Sequence, residues 1–241
     1  MDRRRFLKTS GITIMASKLA SETVVAAPPL PQSQSSFRLL SAPVLLNPTS
    51  NSVTVLVAVS GHATGWVEFG KTKALGSTCD GEVGGMRPFH DRFLRFEITG
   101  LTPGMRYFYR VHVCPTTFEN AYRIKRGTPI ASEVFSFQTL NPSAASASFT
   151  CWNDTHENRQ TLSQLAETLQ KNPTDFLLWN GDITNDIHRE EQLLEQFVDP
   201  AGKPFAASTP LFLGRGNHDI RGRDARLLSQ LITGPGGRYY Y

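Results

Sequence analysis

Short runs of apolar, often β-branched residues recur between positions 37 and 140 of the chain. From Ser52 to Val59 the sequence reads SVTVLVAV, in which β-branched residues nearly alternate with others. Further runs of this kind occur at Trp66–Phe69, Arg92–Ile98, Tyr107–Val113 and Glu133–Gln138. Glycine, proline, asparagine and threonine separate the runs. Many short strands at this spacing predict an all-β sandwich over residues 37–140.

The pattern changes after a short stretch of small residues, Asn141–Ser146. Continuous apolar runs then alternate with sets of apolar residues at helical spacing. The runs are Phe149–Trp152, Phe176–Trp179 and Leu211–Leu213, and the helical sets are Leu162/Leu165/Leu169, Leu193/Leu194/Phe197 and Leu227/Leu228/Leu231. This β-α-β-α-β-α order predicts a layered α/β domain with a parallel sheet over residues 147–241.

Polar clusters follow each apolar run of the second region. They are Asn153-Asp154-Thr155-His156, Asn180-Gly181-Asp182-Ile183-Thr184-Asn185 and Gly214-Arg215-Gly216-Asn217-His218-Asp219. Because ligands of open α/β sheets bind at the carboxyl ends of the strands, we expect the three clusters to meet at one edge of the sheet. The sequence therefore predicts a single site built from all three clusters.

The charge of the chain is concentrated at its amino terminus. The net charge is +4, and 39% of the residues are apolar and 19% charged, as in an ordinary soluble globular protein. The first 26 residues hold five basic and two acidic residues, and the rest of the chain holds 20 basic and 19 acidic ones. The charge of the remainder is nearly balanced, so it gives no support to a nucleic-acid partner.

The amino terminus also has the features of an export signal. Residues Asp2–Lys8 read DRRRFLK and resemble the twin-arginine consensus, and a weakly apolar stretch from Gly11 to about Leu19 follows. That stretch is too short and too polar to span a bilayer. We expect a signal peptide over residues 1–26 and a Pro-, Ser- and Gln-rich linker over residues 27–36. The protein would pass through the twin-arginine translocase and be periplasmic or secreted, with no stable membrane span.

The three cysteines, Cys79, Cys114 and Cys151, lack the spacing of a zinc site. An oxidising compartment would allow a bridge between Cys79 and Cys114. Cys151 lies inside a predicted strand, and we expect it to be a small buried hydrophobic residue.

A turn within the predicted sandwich resembles the fibronectin type III family and the amino-terminal domain of purple acid phosphatases. The resemblance rests on Leu101–Tyr107, which reads LTPGMRY, and on the closing run Phe135–Thr139. It implies a tyrosine corner, in which the hydroxyl of Tyr107 bonds back to the backbone. It also implies a fibronectin type III-like fold for residues 37–140, which serves as a spacer in many proteins.

The polar clusters of the second region resemble the calcineurin-like metallophosphoesterases. That family's signature contains D-x-H, then G-D-x-x-N, then G-N-H-D, and this chain has them in order at Asp154–His156, Gly181–Asn185 and Gly216–Asp219. The resemblance implies an enzyme that hydrolyses phosphate mono- or diesters of a small phosphorylated substrate. Two divalent or trivalent ions of iron, manganese or zinc would clamp the phosphate and deliver a hydroxide in line.

The resemblance also implies a metal-ligand set. Asp182 would bridge the two ions. Asp154 and His156 would complete the protein ligands of one ion, and Asn217 would offer its amide oxygen to the other. Asn185 stands where purple acid phosphatases carry a metal-bound tyrosine, so the resemblance argues against a tyrosinate-ligated iron centre.

Two further residues receive catalytic roles from the same resemblance. His218 would face the substrate and either stabilise charge or protonate the leaving oxygen, and Asp219 would orient its imidazole. Arg221, Arg223 and Arg226 follow this motif and could contact either an anionic substrate or solvent, and of the two we expect solvent.

The family signature ends in further histidines, with a G-H-x-H block, but no histidine follows His218 in this chain. A parallel sheet of three strands would also leave an apolar edge unpaired. The sequence therefore predicts a phosphoesterase domain truncated at its carboxyl end. We expect the 241-residue chain alone to bind metals poorly and to have little or no hydrolase activity.

Two alternatives stay open from the sequence. The first is an exported binding or adhesion protein whose phosphoesterase domain is degenerate. The intact motifs weigh against decay, whereas the missing histidines weigh for it. The second is a DNA nuclease of the same superfamily, which the near-balanced charge of the mature chain does not favour.

Overall fold

The computed structural model describes residues 37–233, all of which belong to one compact unit. The predicted signal peptide (1–26) and linker (27–36) lie outside the described residues, as does the chain from position 234 onward. Within the described range, no helix combines the length and the apolar character needed to cross a membrane.

The described residues contain twelve strands in two sheets. They are β1 (Val44–Leu46), β2 (Val53–Ala58), β3 (Ala63–Gly70), β4 (Ser77–Cys79), β5 (Phe93–Ile98), β6 (Arg106–Asn120), β7 (Arg123–Arg126), β8 (Ile130–Ala131), β9 (Phe135–Gln138), β10 (Phe149–Trp152), β11 (Phe176–Asn180) and β12 (Leu211–Gly214). Every apolar run that the sequence analysis singled out as a strand forms one.

The helical segments follow β10, β11 and β12, as predicted. They are α1 (Arg159–Lys171), α2 (Glu190–Leu193), π1 (Leu194–Val198), α3 (Asp199–Ala201), π2 (Gly202–Ala206) and α4 (Ala225–Ile232). The four segments from α2 to π2 follow one another directly, so the second predicted helix is a longer composite of α and π turns. Asn158 caps the amino terminus of α1, and its side-chain oxygen accepts a hydrogen bond from the Thr161 amide at 3.0 Å.

The first sheet joins the two halves of the chain. Its order is β10-β11-β12-β1-β2-β5, with β10, β11 and β12 parallel to one another, as predicted. Strand β1 pairs in parallel with β12 through Leu46 and Leu211, and it pairs antiparallel with β2. The expectation that the three parallel strands leave an apolar edge unpaired is therefore wrong on the β12 side, because a strand from the amino-terminal half covers that edge.

The second sheet comes entirely from the amino-terminal half. Its order is β4-β3-β6-β7, and the long strand β6 also pairs with β8 and β9. Strand β3 and the first part of β6 alternate between buried and partly exposed residues, as expected of strands with one face on a core.

Strand β2 contributes to two separate hydrophobic cores. All six of its residues are buried, which means that both of its faces are covered. Val53, Val55 and Val57 belong to the core between the two sheets. Leu56 and Ala58 belong to the other core, which contains residues of α1 and the composite helix. Because successive side chains of a strand point to opposite faces, the first sheet is the common wall of both cores.

Specific contacts connect the second sheet, and the residues just before β1, to the composite helix. The Tyr109 hydroxyl, fully buried on β6, donates to the carbonyl of Ala207 at 2.8 Å, and burial raises the pKa of this phenol well above its ordinary value. A Cβ on Gly202 would lie 2.6 Å from the carbonyl oxygen of Ala42, so only glycine allows this close approach. The two halves therefore pack as one body.

The predicted tyrosine corner is present. The Tyr107 hydroxyl accepts a hydrogen bond from the Thr102 amide at 3.0 Å, across the L-T-P-G turn. This bond fixes the entry of the chain into β6.

The cysteines match the expectations from the sequence except that Cys151 is exposed. All three are free, and the thiols of Cys79 and Cys114 donate to the carbonyls of Glu97 and Gly127, each at 3.3 Å. Cys151 is exposed rather than buried. Its strand, β10, is the last in the order of the first sheet, where a side chain has fewer neighbours to cover it.

Candidate metal centre

The three polar clusters predicted to form a site follow β10, β11 and β12, and the structure brings the first two into direct register. The Asp154 amide donates to the Gly181 carbonyl at 3.2 Å, and the His156 amide to the Asp182 carbonyl at 3.0 Å. The pairing of β10 with β11 thus continues as backbone hydrogen bonds into the loops. This continuation holds the D-x-H and G-D-x-x-N segments side by side.

Strained backbone marks the same segments. Six residues other than glycine have positive φ in the described chain, and four of them lie here: Asp154 at +54°, His156 at +44°, Glu157 at +64° and Asp182 at +49°. The left-handed region is costly for residues with a Cβ, and such residues concentrate at functional sites. These turns redirect side chains that would otherwise alternate along a strand.

The second and third clusters touch through two glycines. A Cβ on Gly216 would lie 1.9 Å from Asp182 Oδ1, and one on Gly181, which has φ of +85°, would lie 2.6 Å from the Gly216 amide nitrogen. No side chain fits at either position. The Asp182 carboxylate also accepts a hydrogen bond from the His218 amide at 2.9 Å, so the two turns hold this carboxylate between them.

His156, Asp182 and His218 form one potential metal-binding group. Each offers a ligand atom, and these atoms all lie within 4.8 Å of one another. The two imidazole rings are 4.7 Å apart and nearly perpendicular, at 84°. Nδ1 of His156 is buried and has no hydrogen-bond partner. Because a buried nitrogen without a partner is unfavourable, and because imidazole and carboxylate are both good ligands, the residues present suit a metal cation.

Two other predicted ligands lie next to this group. Asp154 Oδ1 is 3.7 Å from His156 Nε2, and the Asp154 side chain is 60% exposed. Asn217 lies beside Asp182: with its amide turned to satisfy both neighbours, Nδ2 donates to Asp182 Oδ2 at 3.2 Å and Oδ1 accepts from Arg221 Nη2 at 2.8 Å. The structure therefore brings all four predicted metal ligands to one edge of the sheet.

Asp219 does not orient the His218 ring, so that expectation is wrong. Its side chain is fully buried, and Oδ1 accepts hydrogen bonds from the amides of Ile183 and Thr184 at 3.0 Å and from the Thr184 hydroxyl at 3.1 Å. Oδ2 accepts from the Gly216 amide at 2.9 Å. Asp219 thus fastens the G-N-H-D turn to the G-D-x-x-N turn and is a positioning residue.

The His218 ring has different neighbours from those predicted. Nδ1 lies 3.1 Å from the carbonyl oxygen of Asn185. Nη1 of Arg221 lies 3.1 Å from Nδ1 and 3.2 Å from Nε2. Arg221 therefore contacts residues of the site, although it is exposed to solvent as the sequence analysis expected.

Two residues that the sequence analysis did not assign hold the D-x-H loop in place. The Glu157 carboxylate accepts from the Asn185 amide at 2.9 Å, and the buried Thr155 hydroxyl accepts from Trp179 Nε1 at 3.2 Å. An acidic residue directly after D-x-H is a weak sequence signal, because its partner is a backbone amide.

Comparison with known proteins agrees with this geometry. Residues 147–241 match the model of the calcineurin-like phosphoesterase family. Comparison with curated proteins finds no significant match.

Two solved structures share the fold. Purple acid phosphatase PPD1 from yellow lupin (Lupinus luteus) seeds is 17% identical, with a TM-score of 0.57 over 80% of this chain and 40% of that protein. PhoD is 15% identical, with a TM-score of 0.51 over 81% of this chain and 41% of that protein. The chain thus spans about two fifths of the length of each. With the motifs in order on adjoining loops and the family match over the same residues, the segment 147–241 belongs to the calcineurin-like metallophosphoesterases, in a fold like that of purple acid phosphatase and PhoD.

Proposed function

We propose that this chain carries the metal-binding edge of a phosphoesterase that hydrolyses phosphate mono- or diesters. The observation that carries the proposal is the group of His156, Asp182 and His218 with the unpartnered, buried Nδ1 of His156. Asp182, Asp154 and His156 would hold one cation, and Asp182 and Asn217 would contribute to the other. Iron, manganese and zinc all accept this mixture of carboxylate, imidazole and amide ligands.

The chemistry of the proposed function divides between the cations and the chain. A pair of bound cations neutralises the phosphate and activates water for in-line attack. The chain holds Asp182 rigidly between two glycine turns, so its carboxylate does not need to reorganise during the reaction. His218 would stabilise charge or protonate the leaving oxygen, and the contact of Nδ1 with the Asn185 carbonyl at 3.1 Å helps to fix the orientation of its ring.

The proposed location follows from the amino terminus. The twin-arginine-like segment, with the fibronectin type III-like sandwich after it, supports export to the periplasm or the outside of the cell. The tyrosine corner at Tyr107 supports the fibronectin type III-like assignment.

Metal titration of the full chain tests the proposal. We expect Mn²⁺ or Zn²⁺ to bind the wild-type chain only weakly, as the missing histidines predict. Asp182→Asn should weaken this binding further, by about 100-fold or more, because loss of a direct ligand costs at least as much as loss of its supporting partners. Asp186→Asn is the matched control, since its carboxylate lies four positions further along and is 44% exposed. Calorimetry measures both.

Turnover of p-nitrophenyl phosphate by the metal-loaded chain is the second measurement. Low turnover by the 241-residue chain, with turnover restored in a longer reading frame, agrees with the truncation predicted from the sequence. A wild-type chain that binds neither metal would refute the proposal and favour an exported binding protein instead.

A further inference from the structure

The guanidinium of Arg221 lies at the metal-binding edge without an acidic partner. It contacts Asn217 Oδ1 at 2.8 Å and both ring nitrogens of His218 at 3.1 and 3.2 Å. None of these partners is acidic, and no ion pair to Arg221 is found within residues 37–233. The side chain is exposed. A guanidinium without an acidic partner can replace these contacts with stronger hydrogen bonds to an anion.

The backbone around Arg221 is held in place. Its amide donates to the His218 carbonyl at 2.9 Å, and its carbonyl accepts from the Ile187 amide at 2.9 Å. Gly222 follows with φ of +97°, and a Cβ there would lie 2.3 Å from the Ile187 carbonyl oxygen. The position therefore requires glycine, and this close approach sets the direction in which Arg221 leaves the backbone.

The neighbouring arginines show that this arrangement is specific to one position. Arg223 donates to the Asp224 carboxylate at 3.0 Å and to the His188 carbonyl at 3.0 Å, so its charge is already paired. Arg226 is exposed on α4. Of these three, only Arg221 contacts residues of the candidate metal centre.

We propose that Arg221 binds a non-bridging oxygen of the phosphoryl group and selects phosphate monoesters over diesters. The inference rests on the proposed phosphoesterase function and assigns its substrate class. A planar guanidinium donates two parallel hydrogen bonds to phosphate oxygens. A monoester dianion offers one more charged oxygen than a diester, whose additional ester group carries no charge for the arginine to meet.

Anion binding to the full, Mn²⁺-loaded chain tests the inference without requiring turnover. We expect Arg221→Gln to weaken inorganic phosphate binding about tenfold, since it removes a charge-assisted hydrogen bond to the anion. Binding of dimethyl phosphate, a diester probe, should weaken by no more than about threefold, because it lacks the second charge. Arg221→Lys should recover part of the phosphate affinity, since it keeps the charge and loses the fork.

Arg226→Gln is the matched control and should bind phosphate as the wild-type chain does. Equal phosphate affinity in the wild type and Arg221→Gln would overturn the inference. So would an equal loss of affinity for phosphate and dimethyl phosphate in Arg221→Gln. The inference would also fail if the Mn²⁺-loaded wild type bound no phosphate. Mn²⁺ titration separates the two proposals. A wild-type chain that binds no Mn²⁺ refutes the phosphoesterase function, whereas normal Mn²⁺ binding with unchanged phosphate affinity in Arg221→Gln refutes only the role of Arg221.

Discussion

Histidines occur in two contrasting surroundings in this molecule. On the second sheet, His112 Nε2 lies 2.9 Å from Glu68 Oε2, and the ring stacks on Trp66 at 4.8 Å with an interplanar angle of 2°. At the edge of the first sheet, the His156 ring meets another imidazole edge-on and keeps a buried nitrogen without a partner. Both side chains lie beside carboxylates, so proximity to an acid does not distinguish the two histidines. The buried Nδ1 of His156, which has no hydrogen-bond partner, distinguishes them.

The backbone shows the same contrast. His112 lies in regular β6, opposite Trp66 on β3, whereas His156 has positive φ and follows a strand end. Regular strand geometry maintains a structural pair at no conformational cost, and strained turns persist only where the surroundings impose them. The comparison therefore separates a structural histidine from a ligand candidate on two independent criteria.

The largest expected effect comes from removing the Asp219 carboxylate, which links the G-N-H-D turn to the G-D-x-x-N turn. Asp219→Ala would leave three backbone amides and one hydroxyl without their buried acceptor, and we expect the free energy of unfolding to fall by about 3 kcal/mol. Urea denaturation followed by circular dichroism measures this. Asp175→Ala is the control: its exposed carboxylate also accepts from a backbone amide, that of Ser148, at 2.7 Å, and its loss should cost less than about 1 kcal/mol. Equal losses would show that Asp219 is not a positioning residue.

A histidine exchange in each region tests the comparison directly. His156→Gln should weaken Mn²⁺ or Zn²⁺ binding by about 10- to 100-fold, since it removes an imidazole ligand. His112→Gln should leave metal affinity unchanged, because its ring is engaged with Glu68 and Trp66. Calorimetric titration of both variants decides. An equal effect of the two substitutions on metal affinity would invalidate the contrast.

The smallest effect concerns the pH dependence of the structural cluster. The hydrogen bond from Arg110, and then that from His112, hold the pKa of Glu68 below its ordinary value. Its ionised form therefore stabilises the fold above the unfolded-state pKa, and this contribution disappears as the pH falls through the lower folded-state pKa. Because the pair is one third exposed, we expect about 0.5 kcal/mol. Glu68→Gln should remove this acid dependence from denaturation curves and should leave metal binding untouched.

Much of the fold was predictable because it depends on local patterns. The alternation in SVTVLVAV gave β2, the leucines at positions 162, 165 and 169 gave α1, and the L-T-P-G turn gave the bond to Tyr107. The pairing of β1 with β12 was not predictable in this way. Only Leu46 and Leu211 define it, 165 positions apart, and a three-residue strand carries almost no periodicity.

The candidate site also has features that the local sequence predicts and features that it does not. Motif order and strand ends were enough to place Asp154, His156, Asp182 and Asn217 at one edge. The roles of Asp219 and Arg221 depended instead on side-chain direction across a turn. An aspartate next to a histidine suggests a dyad in sequence, but in the structure it accepts four hydrogen bonds from the turns around it.

The shared wall formed by β2 has a consequence for the independence of the two halves. Val44, Leu46, Leu56 and Ala58 come from the amino-terminal half, yet they complete the core beneath the metal-binding edge. Without the amino-terminal half, this core would lose these four side chains, and apolar residues packed in it, such as Leu211, would be more exposed to water. Residues 147–233 therefore share their hydrophobic core with strands of the amino-terminal half.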